Sequence, residues 1–186
     1  PEKEVAQVPL DDMASLIVGR GVYLSSELML ALYGRGANVV VANETYHPAV
    51  FLWPAEEHTQ HCTRLMQQIE ATTPLKKRLW QLVVKTKITQ QSRTLLCFKN
   101  KDEGLKELAR QVKSGDAGNL EAQAARRYWR PLMGDDFRRR TDGDMHQANG
   151  LLNYGYAVMR GAMARGISAA GLHPALGIHH HNQANT

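Results

Sequence analysis

Aromatic residues make up only 6% of the 186 residues, cysteines number two, and no apolar run approaches the ~20 residues a membrane-spanning helix needs. Each scarcity excludes something. Cys62 and Cys97 lie in apolar, helix-like surroundings without metal-ligand spacing. That argues against a disulfide scaffold and a zinc finger, and it suits a reducing cytoplasm. The opening Pro-Glu-Lys-Glu has nothing of a signal peptide. Acid is missing from the end of the chain, where no Asp or Glu follows Asp144. What is present is 43% hydrophobic and 22% charged residues, enough for the core of one medium-sized protein or two small modules.

The net charge of +5 is unevenly spread. Residues 1–54 carry three Lys/Arg against six Asp/Glu, and residues 55–186 carry twenty against twelve, so the basic excess lies entirely in the second part. Such asymmetry points to a polyanion, most economically nucleic acid, while a solvated helical surface is the ordinary alternative.

The hydropathy pattern changes at the same place. Before residue 54 the apolar residues come in short bursts, Leu16–Val18, Val22–Leu24, Val39–Val41 and Val50–Trp53, which read as strands separated by glycine turns and the 43–48 stretch. Ser25-Ser26 caps a short helix through Leu28, Leu32 and Tyr33. The first strand follows a polar lead, so partner strands are expected to precede Pro1. After a hinge at 54–57 the period becomes helical. His58, Cys62, Leu65, Met66 and Ile69 form one side of a first helix. Thr73 and Pro74 start a second helix with a stripe of Leu75, Leu79, Leu82 and Val83, and Lys76, Lys77, Arg78, Lys85, Lys87 and Arg93 on its other faces. A third runs from after Asn100 through Leu105, Leu108, Ala109 and Val112 to a stop at Gly115. The chain is therefore expected to be α+β, with a small β-rich, sandwich-like domain over 1–54 and an all-α domain over 55–186.

The fourth helix should start at Asn119 as cap, place Leu120, Ala124, Tyr128 and Leu132 on one side, and be short because Pro131 disfavours helical geometry at Arg130. Glu121 falls in its first turn, where a carboxylate is stabilised by the exposed N–H groups and can bind a cation. The plain alternative is a residue that only favours a helix start. A fifth helix should run from near Asp144 to Ala170 and stop at Gly171, with Leu152, Tyr156, Met159 and Met163 along one side. Gly150, Gly155, Gly161 and Gly166 lie inside it, each costing about 1 kcal/mol against Ala, so this helix should be held by burial at the centre of the bundle. The chain then reads Gly171-Leu172-His173-Pro174, Gly177-Ile178 and His179-His180-His181. A tag fragment or loose surface tract could give three histidines, but the residues on either side read as natural sequence. Imidazole suits manganese and carboxylate suits magnesium or manganese, so a Glu and a His meeting in a basic helical module would make a site for metal-assisted phosphodiester chemistry.

Three ordered blocks carry a resemblance: Asn119 to Trp129, Asn149 to Arg160, and Gly171-Leu172-His173-Pro174 with Gly177-Ile178-His179-His180. With them the chain resembles the CRISPR-associated integrase, the catalytic subunit of the spacer-acquisition complex, over essentially its whole length. The Trp80 to Gln91 helix and the strand-rich opening look like the versions that accompany type II systems. The resemblance implies a small N-terminal β domain, a helical catalytic domain, a homodimer, and assembly with the smaller acquisition subunit. A type II effector nuclease and an accessory acquisition protein are further implied partners. It also implies that Mg²⁺ or Mn²⁺ assists the 3′-hydroxyl ends of a short DNA duplex, the protospacer, in joining the CRISPR leader-repeat, by transesterification without a covalent enzyme intermediate. Glu121 matches the family's metal-binding glutamate and His180 its metal-binding histidine, the two catalytic ligands. The third, acidic ligand has no counterpart up to Thr186 and is expected beyond it, the chain being read as truncated at its C-terminus.

Arg126, Arg127, Arg138, Arg139 and Arg140 are the candidates for holding DNA phosphates without reading bases, with solvated or ion-paired surface groups as the alternative and Asp135 and Asp136 as possible partners. Tyr128 and Trp129 read as core residues before they read as base-stacking ones. Two other functions stay open: a casposon-type transposon integrase, distinguished by terminal inverted repeats around its gene, and a DNA-binding scaffold without chemistry, distinguished by salt-sensitive duplex binding without strand joining.

Overall fold

Three β-branched residues in a row, Val39-Val40-Val41, form the centre of the only sheet among the described residues. A computed structural model describes residues 6–44, 48–52, 60–140 and 147–179. Its strands are β1 (Ser15–Val18), β2 (Asn38–Ala42) and β3 (Pro48–Leu52); its helices are α1 (Ser26–Gly34), α2 (His61–Ile69), α3 (Thr73–Lys99), α4 (Leu105–Gln111), α5 (Leu120–Met133) and α6 (Gln147–Ala169). The chain is α+β, mostly helical with one small sheet, and divides into two compact units: Pro1–Leu65 with Arg140–Pro174, and Met66–Arg139 with Ala175–Thr186. The boundary expected at residue 54 lies outside the described residues.

In the first unit β2 pairs in parallel with β1, from Ser15 opposite Asn38 to Val18 opposite Val41, and antiparallel with β3, where Val40 faces Phe51. A parallel pair needs a crossover, and α1 supplies it. Ser25 caps α1 as expected, its Oγ accepting the Leu28 N–H at 3.2 Å. The Val22–Leu24 burst is not a strand. It is confined between Gly21 (φ 74°) and that cap, and Tyr23 stands almost fully in solvent. Instead of a sandwich, the described strands form one three-stranded sheet.

Helix α6 corrects the expectation most sharply. It lies against the three strands instead of at the centre of a helical bundle. Its buried side is Asn149, Asn153, Ala157, Gly161 and Ala164, while Met159 and Met163 are exposed. Close approach is the reason: a Cβ on Gly161 would sit 3.0 Å from Val40 Cγ2, and the Gly161 carbonyl accepts a hydrogen bond from Asn38 Nδ2 at 2.8 Å. Gly150, Gly155 and Gly166 have open space around them. Gly171, in left-handed geometry, does end the helix, with the Leu172 N–H donating to the Ile167 carbonyl at 3.0 Å.

Helix α2 turns inward only part of the side expected, Leu65 being half-buried. Cys62, Met66 and Ile69 are exposed, and His58 lies outside the described residues. Arg64 and Gln68 use the inner side to donate to the carbonyls of Ala170 and Leu176.

The core of the second unit is built on α3. Trp80, Val84, Ile88 and Leu95 are buried with Leu105, Leu108, Ala109 and Val112 of the α4 region and Ala124 of α5. The expected stripe of Leu75, Leu79, Leu82 and Val83 is exposed. Both lines of residues have helical spacing, but only the one from Trp80 runs far enough along the 27-residue helix to meet both α4 and α5. Among the described residues no helix is long and apolar enough to cross a membrane.

Candidate functional site

Helix α5 presents Glu121, and its start is built differently from the sequence expectation. Asn119 occupies the cap position with left-handed backbone (φ 49°) and makes no side-chain capping bond. Asp116 caps instead, Oδ1 accepting the Leu120 N–H at 2.9 Å and Oδ2 the Glu121 N–H at 3.0 Å. Asp116 reaches them from a tight turn whose preceding residue, Gly115, has φ 71° and would place a Cβ 3.1 Å from Lys77 Cγ. The carboxylate of Asp116 therefore takes the exposed N–H groups, and the cation beside Glu121 is a side chain. Lys87 Nζ lies 2.5 Å from Glu121 Oε1. Glu121 is 28% exposed and Lys87 46%, so the pair sits at the rim of the core.

The helix continues through Arg130 and Pro131 to Met133, although Pro131 is expected to disfavour helical geometry at Arg130, and stops at Gly134. Proline removes one intrahelical bond, and packing of Leu132 against the core keeps the last turn in place. Tyr128 packs on the same core, and Trp129 lies 5.6 Å from the buried Phe137 ring. Both aromatics are structural.

His180 lies outside the described residues, but the chain just before it is well anchored. The Leu176 carbonyl accepts from Gln68 Nε2 at 2.9 Å, Ile178 packs on the core, and the His179 ring stacks on Trp80 with centroids 4.3 Å apart and planes 8° apart. Trp80 and Lys87 are both on α3. Seven residues are two turns, so the two share a face and are separated by ~10 Å along the axis. One holds the neighbour of His180 and the other holds Glu121. Among the described residues no group of three or more His, Cys, Asp or Glu could hold a metal ion.

The arginines divide. Arg126 and Arg127 are exposed on α5, but they follow Glu121 by five and six residues, which turns them ~120–140° away from its face. The Arg126 Nε donates to its own helix at the Ala122 carbonyl, and Arg127 Nη1 lies beside Gly104. Arg138 donates to the carbonyls of Asp135 and Phe137, Arg139 is half-buried, and the Arg140 N–H donates to Asn149 Oδ1 at 3.1 Å. Asp135 pairs with Arg130, whose guanidinium holds the carboxyl below the usual carboxylate range. Sequence reasoning missed Lys87 as the partner of Glu121, Asp116 as the cap and Trp80 as the seat of His179. Only Asp116 left a local signal, an acid after a glycine just before a helix.

The sequence model for "CRISPR associated protein Cas1" matches residues 1–186. The CRISPR-associated endonuclease Cas1 of Neisseria meningitidis serogroup C (strain 8013) is 37% identical over 96% of this chain and 59% of its own length. Cas1 1 of Francisella tularensis subsp. novicida (strain U112) is 28% identical over 92% of the chain and 60% of its own length. The chain thus spans about 59–60% of these relatives. In fold it is similar to a chain of a Cas6-RT-Cas1–Cas2 complex, with a TM-score of 0.72 at 18% identity over 97% of this chain and 22% of that one. It is also similar to a casposase bound to integration product, with a TM-score of 0.56 at 17% identity over 94% of this chain and 57% of that one. By the full-length family match and the Neisseria relative, this chain belongs to the CRISPR-associated Cas1 family.

Proposed function

We propose that the protein is the metal-dependent integrase of CRISPR spacer acquisition, joining the 3′-hydroxyl ends of short duplex DNA to the leader-repeat, with Glu121 and His180 sharing one Mg²⁺ or Mn²⁺ ion. The observation that carries this reading is the double attachment to one face of α3, Glu121 through Lys87 and the chain before His180 through Trp80. The residues present fit such an ion. Glu121 offers a half-buried carboxylate, and the sequence places an imidazole directly after the anchored His179. When bound, a divalent ion there polarises a phosphodiester and stabilises charge on the attacking and leaving oxygens.

The protein's own groups supply position. Asp116 fixes the first turn of α5 and so the direction in which Glu121 leaves it. Lys87 holds the carboxylate and gives a positive charge beside the phosphate. Arg126 and Arg127 would hold phosphates on a different side of α5 from Glu121, and Arg138, Arg139 and Arg140 are further candidates for phosphate contacts. The third, acidic ligand, homodimerisation, the smaller acquisition subunit, and an N-terminal β domain followed by a helical catalytic domain belong to the same proposal, since the relatives are longer than this chain. A casposon-type integrase is the second reading, favoured by the fold similarity to a casposase.

A strand-transfer assay on a supercoiled plasmid carrying leader and repeat, using the full chain with its acquisition partner with and without Mn²⁺, tests the reading. Glu121→Ala and His180→Ala should each abolish joining and leave duplex binding intact. Normal joining by both variants overturns it.

A further inference from the structure

Helix α3 holds seven Lys or Arg and no Asp or Glu in its 27 residues. Its buried line, Trp80, Val84, Ile88 and Leu95, accounts for one side. The side away from the core carries a second apolar line that stands in solvent: Leu75 and Leu79 are 41% exposed, Val83 45% and Leu82 63%. Steps of four, three and one residues gather these four on one side of about two turns, ~12 Å along the axis. Arg78 lies along one flank of the line and Lys76 along the other.

A single apolar side chain in water is ordinary, but four adjoining ones on one helix make a surface that gains by being covered. The flanks select the cover. Duplex DNA would meet the cations with phosphates and leave three leucines and a valine against charged backbone. A helix with leucines of its own answers the line, and carboxylates beside those leucines answer Arg78 and Lys76. No acid on α3 itself competes for the two cations.

We propose that this side of α3 docks an acidic amphipathic helix of a partner protein. Leu75, Leu79 and Leu82 interdigitate with the apolar side of the incoming helix, and its Asp or Glu residues pair with Arg78 and Lys76. Apolar contact supplies the affinity, while the rim charges decide which partner is taken and how fast. Neither Glu121 nor a bound ion takes part.

The probes are two synthetic helical peptides of about 18 residues, alike in their leucine stripe, one flanked by Glu and the other by Lys. Binding to the full chain is read by fluorescence anisotropy, with thermal melts run on each variant. The Glu peptide should bind at least about tenfold more tightly than the Lys peptide, and should weaken about threefold or more between roughly 50 and 500 mM salt. The double variant Leu79→Ser with Leu82→Ser should weaken it about tenfold or more without lowering the melting temperature. Arg78→Glu, which leaves the leucines in place, should narrow the preference between the peptides about fivefold. Equal affinity for the two peptides, unchanged binding by the double variant, or no binding of either peptide overturns the proposal. Two other occupants have their own signatures. A duplex of about 20 base pairs that binds the double variant more weakly than wild type would make this a nucleic-acid surface. A dimer in sedimentation that the double variant dissociates would make it the seat of a second copy. Either result overturns the acidic helix.

Discussion

Glu121 and Lys87 form a pair whose strength bears on the metal site proposed above. An ammonium 2.5 Å from a carboxylate oxygen occupies the place where a metal would bind, and its charge opposes the newcomer. Exposed pairs of this kind contribute ~0.2–1 kcal/mol, so Lys87→Met should tighten Mn²⁺ binding in the absence of DNA by about two- to fivefold, read by electron paramagnetic resonance titration of the full chain with Mn²⁺. Unchanged or weaker binding would contradict the arrangement. Asp102 shows a carboxylate with a purely structural task. It accepts the N–H groups of Lys106 at 3.0 Å and Gly104 at 3.1 Å and the Ser92 hydroxyl at 3.1 Å. The Lys106 bond chiefly lowers its pKa. A carboxyl with a depressed folded pKa contributes stability above the unfolded value, ordinarily about 3.9, and loses it as pH falls through the lower folded value. Asp102→Ala should therefore cost about 1 kcal/mol at neutral pH, as a lost helix cap does, and the difference from wild type should vanish below that window in denaturant titrations.

At the scale of elements, α6 shows what a helix gives up to lie close to a sheet. Gly161→Val would force its side chain against Val40 and should destabilise by about 1–3 kcal/mol. Gly155→Ala meets open space and should stabilise by up to about 1 kcal/mol. Thermal unfolding of the two variants checks the contrast, and equal effects would deny the close packing. The sequence made α1, its Ser25 cap, the Val39–Val41 strand and the Leu120–Leu132 stripe legible because each is set by residues a few positions apart. It misassigned the inner faces of α2, α3 and α6. On α3 two lines of apolar residues satisfy helical spacing, and only α4 and α5, distant in sequence, decide between them. On α6 a rule that sends large apolar side chains inward fails because the sheet needs small ones. The resemblance singled out Glu121 and His180 as candidates, while Lys87, 34 positions from Glu121 in sequence, left no local trace as its partner.

For the whole molecule, the two units account for the uneven sequence in a particular way. The sheet shares its unit with α6, so residues far apart in the chain build it together. The second unit holds both Glu121 and the anchored approach to His180 on a single hydrophobic core. The chain belongs to the Cas1 family, and its basic excess lies after residue 54. The account as a whole depends on one ion bridging Glu121 and His180. Anomalous diffraction at the manganese edge from crystals of the full chain grown with Mn²⁺ reads this directly. One peak bounded by the Glu121 carboxylate and the His180 imidazole is the result predicted here; a peak held by neither residue, or by one alone, would contradict it.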